Sequence, residues 1–335
     1  MTTVAVVGAT GAVGRTMVSI LAERDFPATS LRLAASKRSA GQSVETHLGQ
    51  VTVEDLATMD PSGIDVALFS AGGVRSKEHA SRFVEAGAVV VDNSSAFRMN
   101  DDVPLVVAGV NDDAVGEHSG IVANPNCTTM TLMLAAGPLH RAAGLRSMVV
   151  TSYQAVSGSG HQGVTELLGQ QGPLGSDVDA LMTGGWTDPG SSVYVRPIAF
   201  NVLPFAGNEV DGGYTDEEMK LLDESRKILE IPDLAVEPTC VRVPVLVGHG
   251  VAATLLFERP MPADEAMSIL SSAPGLDLWK DRVPTPLDSA GIDDVLAGRV
   301  RETVSTPGGI SLWVVGDNLR KGAALNTVQI AELLV

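Results

Sequence analysis

The apolar run Val4-Ala5-Val6-Val7 feeds straight into Gly8-Ala9-Thr10-Gly11-Ala12-Val13-Gly14, and apolar residues then recur at helical spacing at Val13, Met17, Ile20 and Leu21. A buried strand, a glycine-rich turn and a helix, in that order, leave few folds open. Strand–helix units of this kind build parallel sheets covered on both faces. Missing side chains let the backbone approach a pyrophosphate, and the helix start offers it N–H groups and positive dipole density. The spacing here is GxxGxxG, a variant of the usual dinucleotide fingerprint GxGxxG. Gly8, Thr10, Gly11, Ala12, Val13 and Gly14 are therefore the candidate cofactor cradle.

The same alternation continues downstream. Strands are expected over residues 31–35, 65–70, 88–91 and 121–123, with a helix over 76–86 closed by Gly87. The end of the second strand distinguishes the two nicotinamide dinucleotides. An NAD site places an acid there for the ribose 2′-hydroxyl. This chain has Ser36-Lys37-Arg38-Ser39 instead. A carboxylate would repel a 2′-phosphate, whereas Ser36, Arg38 and Ser39 suit one, so NADP is the expected cofactor.

After residue 123 the pattern changes. Asn124-Pro125-Asn126-Cys127-Thr128-Thr129 opens a helix expected over 127–143, with Asn126 as its cap and Pro125 as a rigid entry. A thiolate in the first turn is favoured by the helix dipole and by nearby N–H donors, which makes Cys127 the candidate nucleophile. The second cysteine, Cys240, sits in an apolar strand and reads as structural. Long strands are expected over 145–156, 240–247, 252–257 and 310–315, less regularly separated by helices, as in an antiparallel sheet with one covered face. Residues 171–193 read as a long loop or surface excursion, and 321–334 as an apolar helix. The fold class is α/β: an N-terminal Rossmann-like doubly wound parallel sheet plus an α+β domain with a largely antiparallel sheet.

Composition removes other classes. With 335 residues, 44% hydrophobic and 19% charged, the chain has the profile of a two-domain globular enzyme. A net charge of −17 repels phosphate polyanions, so nucleic acid is not an expected partner. No apolar run is long enough to span a membrane, and the N-terminus lacks the basic region of a signal peptide. Two cysteines do not make a secreted disulfide framework, so a cytoplasmic location is expected. The histidines show no ligand spacing, and no metal is expected.

The hexapeptide at Cys127 resembles the nucleophile segment of the semialdehyde dehydrogenase superfamily, in particular its aspartate-semialdehyde dehydrogenase family. The resemblance runs through Ser94-Ser95-Ala96-Phe97-Arg98, Ser152-Tyr153-Gln154-Ala155-Val156-Ser157-Gly158, Glu217-Glu218-Met219-Lys220, the 242–249 segment Arg242 to His249, and Asp317-Asn318-Leu319-Arg320-Lys321-Gly322. It implies a cofactor domain over 1–126, completed by 318–335, and a catalytic and dimer-forming domain over 127–317. It also implies a homodimer or homotetramer. The reaction implied is NADP-dependent interconversion of L-aspartate 4-semialdehyde plus phosphate with L-4-aspartyl phosphate through a cysteine thioester, in lysine, diaminopimelate, threonine and methionine biosynthesis.

Chemistry and resemblance together suggest the roles. Cys127 attacks the aldehyde, and His249 takes the hydroxyl proton of the thiohemiacetal as it collapses. Arg242 grips the substrate α-carboxylate in bidentate fashion, Glu217 neutralises the α-ammonium, and Gln154 orients the bound substrate. Arg98 and Lys220, helped by Asn126, hold phosphate. Ser157 and Gly158 line the cofactor near the reacting carbon, and Asn318 contacts the nicotinamide carboxamide. The nearest alternative is N-acetyl-glutamyl-phosphate reductase, whose acylated substrate has no ammonium for Glu217 to meet; a non-catalytic protein of the same fold is the other.

Overall fold

Residues Val4 to Val7 have no exposed surface, as expected of a strand covered on both faces. They form the last four residues of β1 (Thr2–Val7). With β2 (Ala28–Ala35), β3 (Ser43–Thr46), β4 (Gly49–Asp55), β5 (Val66–Phe69), β6 (Val89–Asp92) and β7 (Ile121–Ala123) it makes a seven-stranded sheet ordered β3-β4-β2-β1-β5-β6-β7. All neighbours are parallel except the β3–β4 hairpin. The chain is seen here as a computed structural model that describes residues 2–335.

Alternation along β1 sends side chains to two cores. Val4 and Val6 pack with Met17, Ile20 and Leu21 of α1 (Ala12–Glu23) and with Leu325, Val328 and Ile330 near the C-terminus. Ala5 and Val7 pack with Phe69 and with Ala80 and Phe83 of α2 (Gly73–Glu85). Phe69 and Phe83 meet edge to face, centroids 5.1 Å apart. The next helix, α3 (Cys127–Ala143), begins at the expected cysteine.

The second sheet contains β8 (Leu145–Gln154), β9 (Ala235–Arg242), β10 (His249–Phe257), β11 (Leu276–Trp279), β12 (Val295–Glu302) and β13 (Ile310–Gly316), ordered β11-β12-β13-β10-β8-β9. β10 is antiparallel to β8 and β13, and β12 to β13; the outer pairs β8–β9 and β11–β12 are parallel. Val251, Ala253, Leu255 and Phe257 are buried while Ala252, Thr254 and Leu256 between them are half-buried, the signature of a sheet with one covered face. The remaining helices are α4 (Gly160–Gly175), α5 (Val178–Thr183), α6 (Asp216–Leu229), α7 (Ala263–Leu270), α8 (Pro286–Ser289) and α9 (Asn326–Glu332).

The chain divides into Met1–Met133 with Glu224–Pro232 and Leu319–Val335, and Leu134–Asp223 with Asp233–Asn318. The first turns of α3, Cys127 included, thus group with the parallel sheet. The strand expected over 240–247 ends at Arg242, where Pro244 has no N–H to extend a ladder. Residues 171–193 are not all loop, since α4 reaches Gly175 and α5 follows. The C-terminal helix expected over 321–334 opens as a π-helical turn, Arg320–Leu325, before α9.

Candidate active site

The glycine cradle is tight where it must be. Gly8 has φ +90°, and a β-carbon on it would strike the Ser70 carbonyl, while one on Gly14 would strike the Gly8 carbonyl. The Gly11 N–H donates to Gly8 O at 3.0 Å. Gly11 and Ala12 are exposed, and no side chain caps the start of α1. This is the surface a pyrophosphate needs: bare backbone and an uncapped helix start with no acid in its first turn. At the end of β2, Ser36 to Ser39 form a turn closed by the Ser39 N–H donating to Ser36 O at 2.8 Å. Thr10 Oγ1 donates to Ser39 Oγ at 3.2 Å, which ties that turn to the cradle. Lys37 and Arg38 are exposed there, and no acid stands among these four residues. The cradle fits a dinucleotide.

The segment around Cys127 belongs to the same unit. Asn126 Oδ1 accepts the Thr128 N–H at 2.8 Å, the cap expected of an asparagine just before a helix. Cys127 is half-buried. Arg98 is only 8% exposed. Its Nε donates to Asn124 O at 2.8 Å, Nη1 to Glu224 Oε1 at 2.9 Å and Nη2 to Asn93 O at 3.0 Å. A guanidinium has five N–H bonds, so two remain for an anion once these three are made. The other Glu224 oxygen accepts the Asn126 N–H at 2.6 Å. Glu224 was not identified from the sequence. The only signal was its spacing: it lies two helical turns after Glu217 on α6, so both fall on one face.

In the other unit, strand register groups the expected residues at one end of the sheet. Gln154 ends β8 directly opposite Arg242, which ends β9, and His249 begins β10. Gln154 Nε2 donates to Ser152 Oγ at 3.2 Å and to Glu217 Oε1 at 3.4 Å. Lys220 Nζ bonds Asp216 and Glu217 at 3.1 and 3.2 Å. Burial opposes the Lys220 charge, but those two acids outweigh it and raise its pKa. Arg242 Nη1 donates to Ala155 O at 2.8 Å, while its buried Nε has no partner. Its guanidinium carbon lies 5.8 Å from the Tyr194 ring centroid.

Arg242, Glu217, Gly158, Tyr194 and Asn208 line one cavity of about 360 Å³. Tyr194 also went unidentified in the sequence, because a lone tyrosine in a Gly- and Ser-rich stretch carries no pattern. A larger, more open depression of about 990 Å³ runs along α4 beside residues 189–193 and contains none of the expected site residues.

His249 is fully buried, and the Ala155 N–H donates to its Nδ1 at 3.1 Å. An amide can only donate, so Nδ1 holds a lone pair and the neutral ring carries its proton on Nε2. That Nε2 is buried without a partner. Burial, then the Arg242 charge, push the His249 pKa down to about 3. At neutral pH the ring is therefore uncharged. Asn318, expected at the nicotinamide, bridges two turns: its Oδ1 accepts the Gly248 N–H at 2.9 Å and its Nδ2 donates to Ser157 Oγ at 2.9 Å. Burial raises the Cys240 thiol to about 12, which suits an inert core residue.

A glycine cradle and a capped helix-start thiol in one unit, and a neutral imidazole beside a buried arginine in the other, are the parts expected of a dinucleotide-dependent oxidoreductase. Comparison with known proteins agrees. Residues 3–118 match the model of the semialdehyde dehydrogenase NAD-binding domain, and residues 136–321 that of the semialdehyde dehydrogenase dimerisation domain. Aspartate-semialdehyde dehydrogenase of Streptomyces akiyoshiensis is 54% identical over 99% of this chain and 98% of its own. That of Mycolicibacterium smegmatis is 52% identical over 100% and 99%. The crystal structure of aspartate semialdehyde dehydrogenase II from Vibrio cholerae complexed with ASA matches with TM-score 0.93 and 43% identity, covering 100% and 98% of the two chains. The enzyme from Candida albicans, solved with NADP, matches with TM-score 0.75 and 26% identity over 100% and 98%. The chain belongs to the aspartate-semialdehyde dehydrogenase family.

Proposed function

We propose that this enzyme interconverts L-aspartate 4-semialdehyde plus phosphate with L-4-aspartyl phosphate, using NADP and Cys127. The cavity shared by Arg242 and Glu217 carries the substrate assignment. A guanidinium and a carboxylate lining one small cavity complement the α-carboxylate and α-ammonium of a free amino acid. An N-acetylated glutamate semialdehyde has no ammonium for Glu217. The Ser36–Ser39 turn, bearing Arg38 and no acid, favours NADP over NAD.

In the reductive direction the Cys127 thiolate attacks the acyl phosphate, expels phosphate and forms a thioester. Arg98, with Asn126, and Lys220 bind the phosphate. Bound NADPH supplies the hydride. The thioester oxygen gains negative charge as its carbon is reduced, and the Nε2–H of neutral His249 donates to it. Collapse of the thiohemiacetal frees the aldehyde and returns the thiolate. Gln154 orients the acyl group, and Ser157 and Gly158, held by Asn318, shape the turn beside the cofactor. The enzyme acts in the cytoplasm as a homodimer or homotetramer, on the route to lysine, diaminopimelate, threonine and methionine.

The test is phosphate-dependent reduction of NADP and of NAD with aspartate semialdehyde, repeated with the N-acetylated glutamate analogue. C127A should retain cofactor binding and lose turnover. Equal turnover of the acylated compound, or an active C127A, overturns the assignment.

A further inference from the structure

Glu224 is 1% exposed, and its two oxygens are held by different donors. Oε1 takes Arg98 Nη1 at 2.9 Å, and Oε2 takes the backbone N–H of Asn126 at 2.6 Å. Asn126 is the cap of the nucleophile helix and the residue bonded to Cys127. Arg98 in turn binds Asn124 O, so Glu224 and Arg98 grip the segment at both sides of Pro125. Asn124 is held from the side-chain end too: its Oδ1 accepts from Asn326 and its Nδ2 donates to Asn93. A buried carboxylate placed one residue from a nucleophilic thiol is costly unless neutralised, and Arg98 neutralises it.

We infer that Glu224 is a positioning residue for Cys127, acting through the Asn126 N–H and through the Arg98 charge to set where the sulfur sits and how readily it ionises. It touches neither substrate nor cofactor. The carboxylate opposes a thiolate beside it, and Arg98 offsets that opposition, so the pair holds the local charge near balance while the hydrogen bond fixes the cap. E224Q removes the anion, leaves Arg98 uncompensated and places an amide donor against one of the two donors that Glu224 now accepts. E224D keeps the charge and draws it back by one methylene.

The inference rests on Cys127 as the nucleophile, so it is tested first by a measurement that needs no turnover: the pH dependence of iodoacetamide labelling at Cys127, followed by peptide mass. In folded E224Q the labelling midpoint moves to lower pH by about one unit, a tenfold change in the thiol–thiolate balance. Its kcat falls at least about tenfold with KM for the aldehyde little changed, because the loss lies in positioning rather than binding. E224D keeps the wild-type midpoint and shows the kcat loss, and it carries the test alone if E224Q does not fold. A folded E224Q with wild-type midpoint and kcat, or an E224D with wild-type kcat, makes Glu224 a packing residue and overturns the inference. An active C127A would instead overturn the nucleophile assignment.

Discussion

Gly158 stands against Arg242 so closely that a β-carbon on it would lie 3.0 Å from Nη1, and 3.1 Å from Nε2 of His249. The glycine is not needed for backbone conformation, because its φ lies outside the positive range. It is needed for room beside the guanidinium and the imidazole. G158A should therefore fold normally and displace one or both groups by a few tenths of an ångström. Small displacements of positioned groups cost catalysis heavily, and a loss of about 10- to 100-fold in kcat/KM is expected. Thermal unfolding and steady-state kinetics check this together. Wild-type kcat/KM in G158A would show that the space is unused.

The buried imidazole gives stability a pH dependence of known sign. Folded His249 titrates at about 3, against about 6.5 for an unfolded histidine. Between those values the unfolded chain binds a proton that the folded protein does not. Stability is therefore lost as pH falls through this window and is fully present above it. H249Q removes the effect while leaving other titrating groups in place. Relative to that variant, the wild type should lose about 2 to 3 kcal/mol between pH 7.5 and 4.5 in urea unfolding. Parallel curves for the two proteins would show that the imidazole is not held neutral.

How much could be read in advance depended on whether a residue's role was local. The strand-to-helix cradle was legible because fully buried parallel strands such as residues 4–7 are continuous apolar runs. The β3–β4 hairpin was not, because Ser43 to Thr46 alternate between exposed and half-buried and carry little apolar signal. Cys127 and its Asn126 cap are neighbours in sequence, so the motif displayed their geometry. Glu224 reaches Asn126 across 98 positions, and nothing in a helix rich in acids marks which one turns inward. The proton position on His249 was equally hidden, since it is set by the Ala155 N–H 94 residues away. Resemblance supplied the order of the segments, but hydrogen-bond partners had to be seen.

Lys321 yields a stability prediction in the parallel-sheet unit. It is 1% exposed, and its ammonium donates to Ala108 O at 3.0 Å, Asn326 Oδ1 at 2.9 Å and Gln329 Oε1 at 2.6 Å. Asn326 then reaches Val106 O and Asn124 Oδ1. The π-helical turn thus buries an ammonium group on these three acceptors and fastens the C-terminal helix to Val106 and Ala108. K321M fits the volume but strands those acceptors. A loss of about 2 to 4 kcal/mol is expected in chemical unfolding, since hydrogen bonds to a charged group are stronger than neutral ones and unsatisfied buried groups are costly. A change below about 0.5 kcal/mol would mean that water replaces the ammonium at little cost.

Cofactor choice should be the property most easily shifted, because the residues credited with it are exposed and peripheral to the chemistry. Arg38 stands in the turn that Thr10 joins to the glycine cradle through Ser39, and among the described residues no hydrogen bond fastens its guanidinium. A dianionic 2′-phosphate would gain charge-assisted hydrogen bonds from Arg38, worth about 1.5 to 3 kcal/mol, whereas a ribose hydroxyl would gain little. R38A should then raise KM for NADP about 10- to 100-fold and leave KM for NAD nearly unchanged. Its kcat should hold, because a turn at the end of β2 would meet the ribose phosphate rather than the reacting ring. R38D should go further, repelling NADP and admitting NAD through a carboxylate at the position where NAD sites carry one. Initial rates with both cofactors decide it: equal loss with NADP and NAD in R38A would trace the effect to the cradle as a whole, and no loss with either would remove Arg38 from the site.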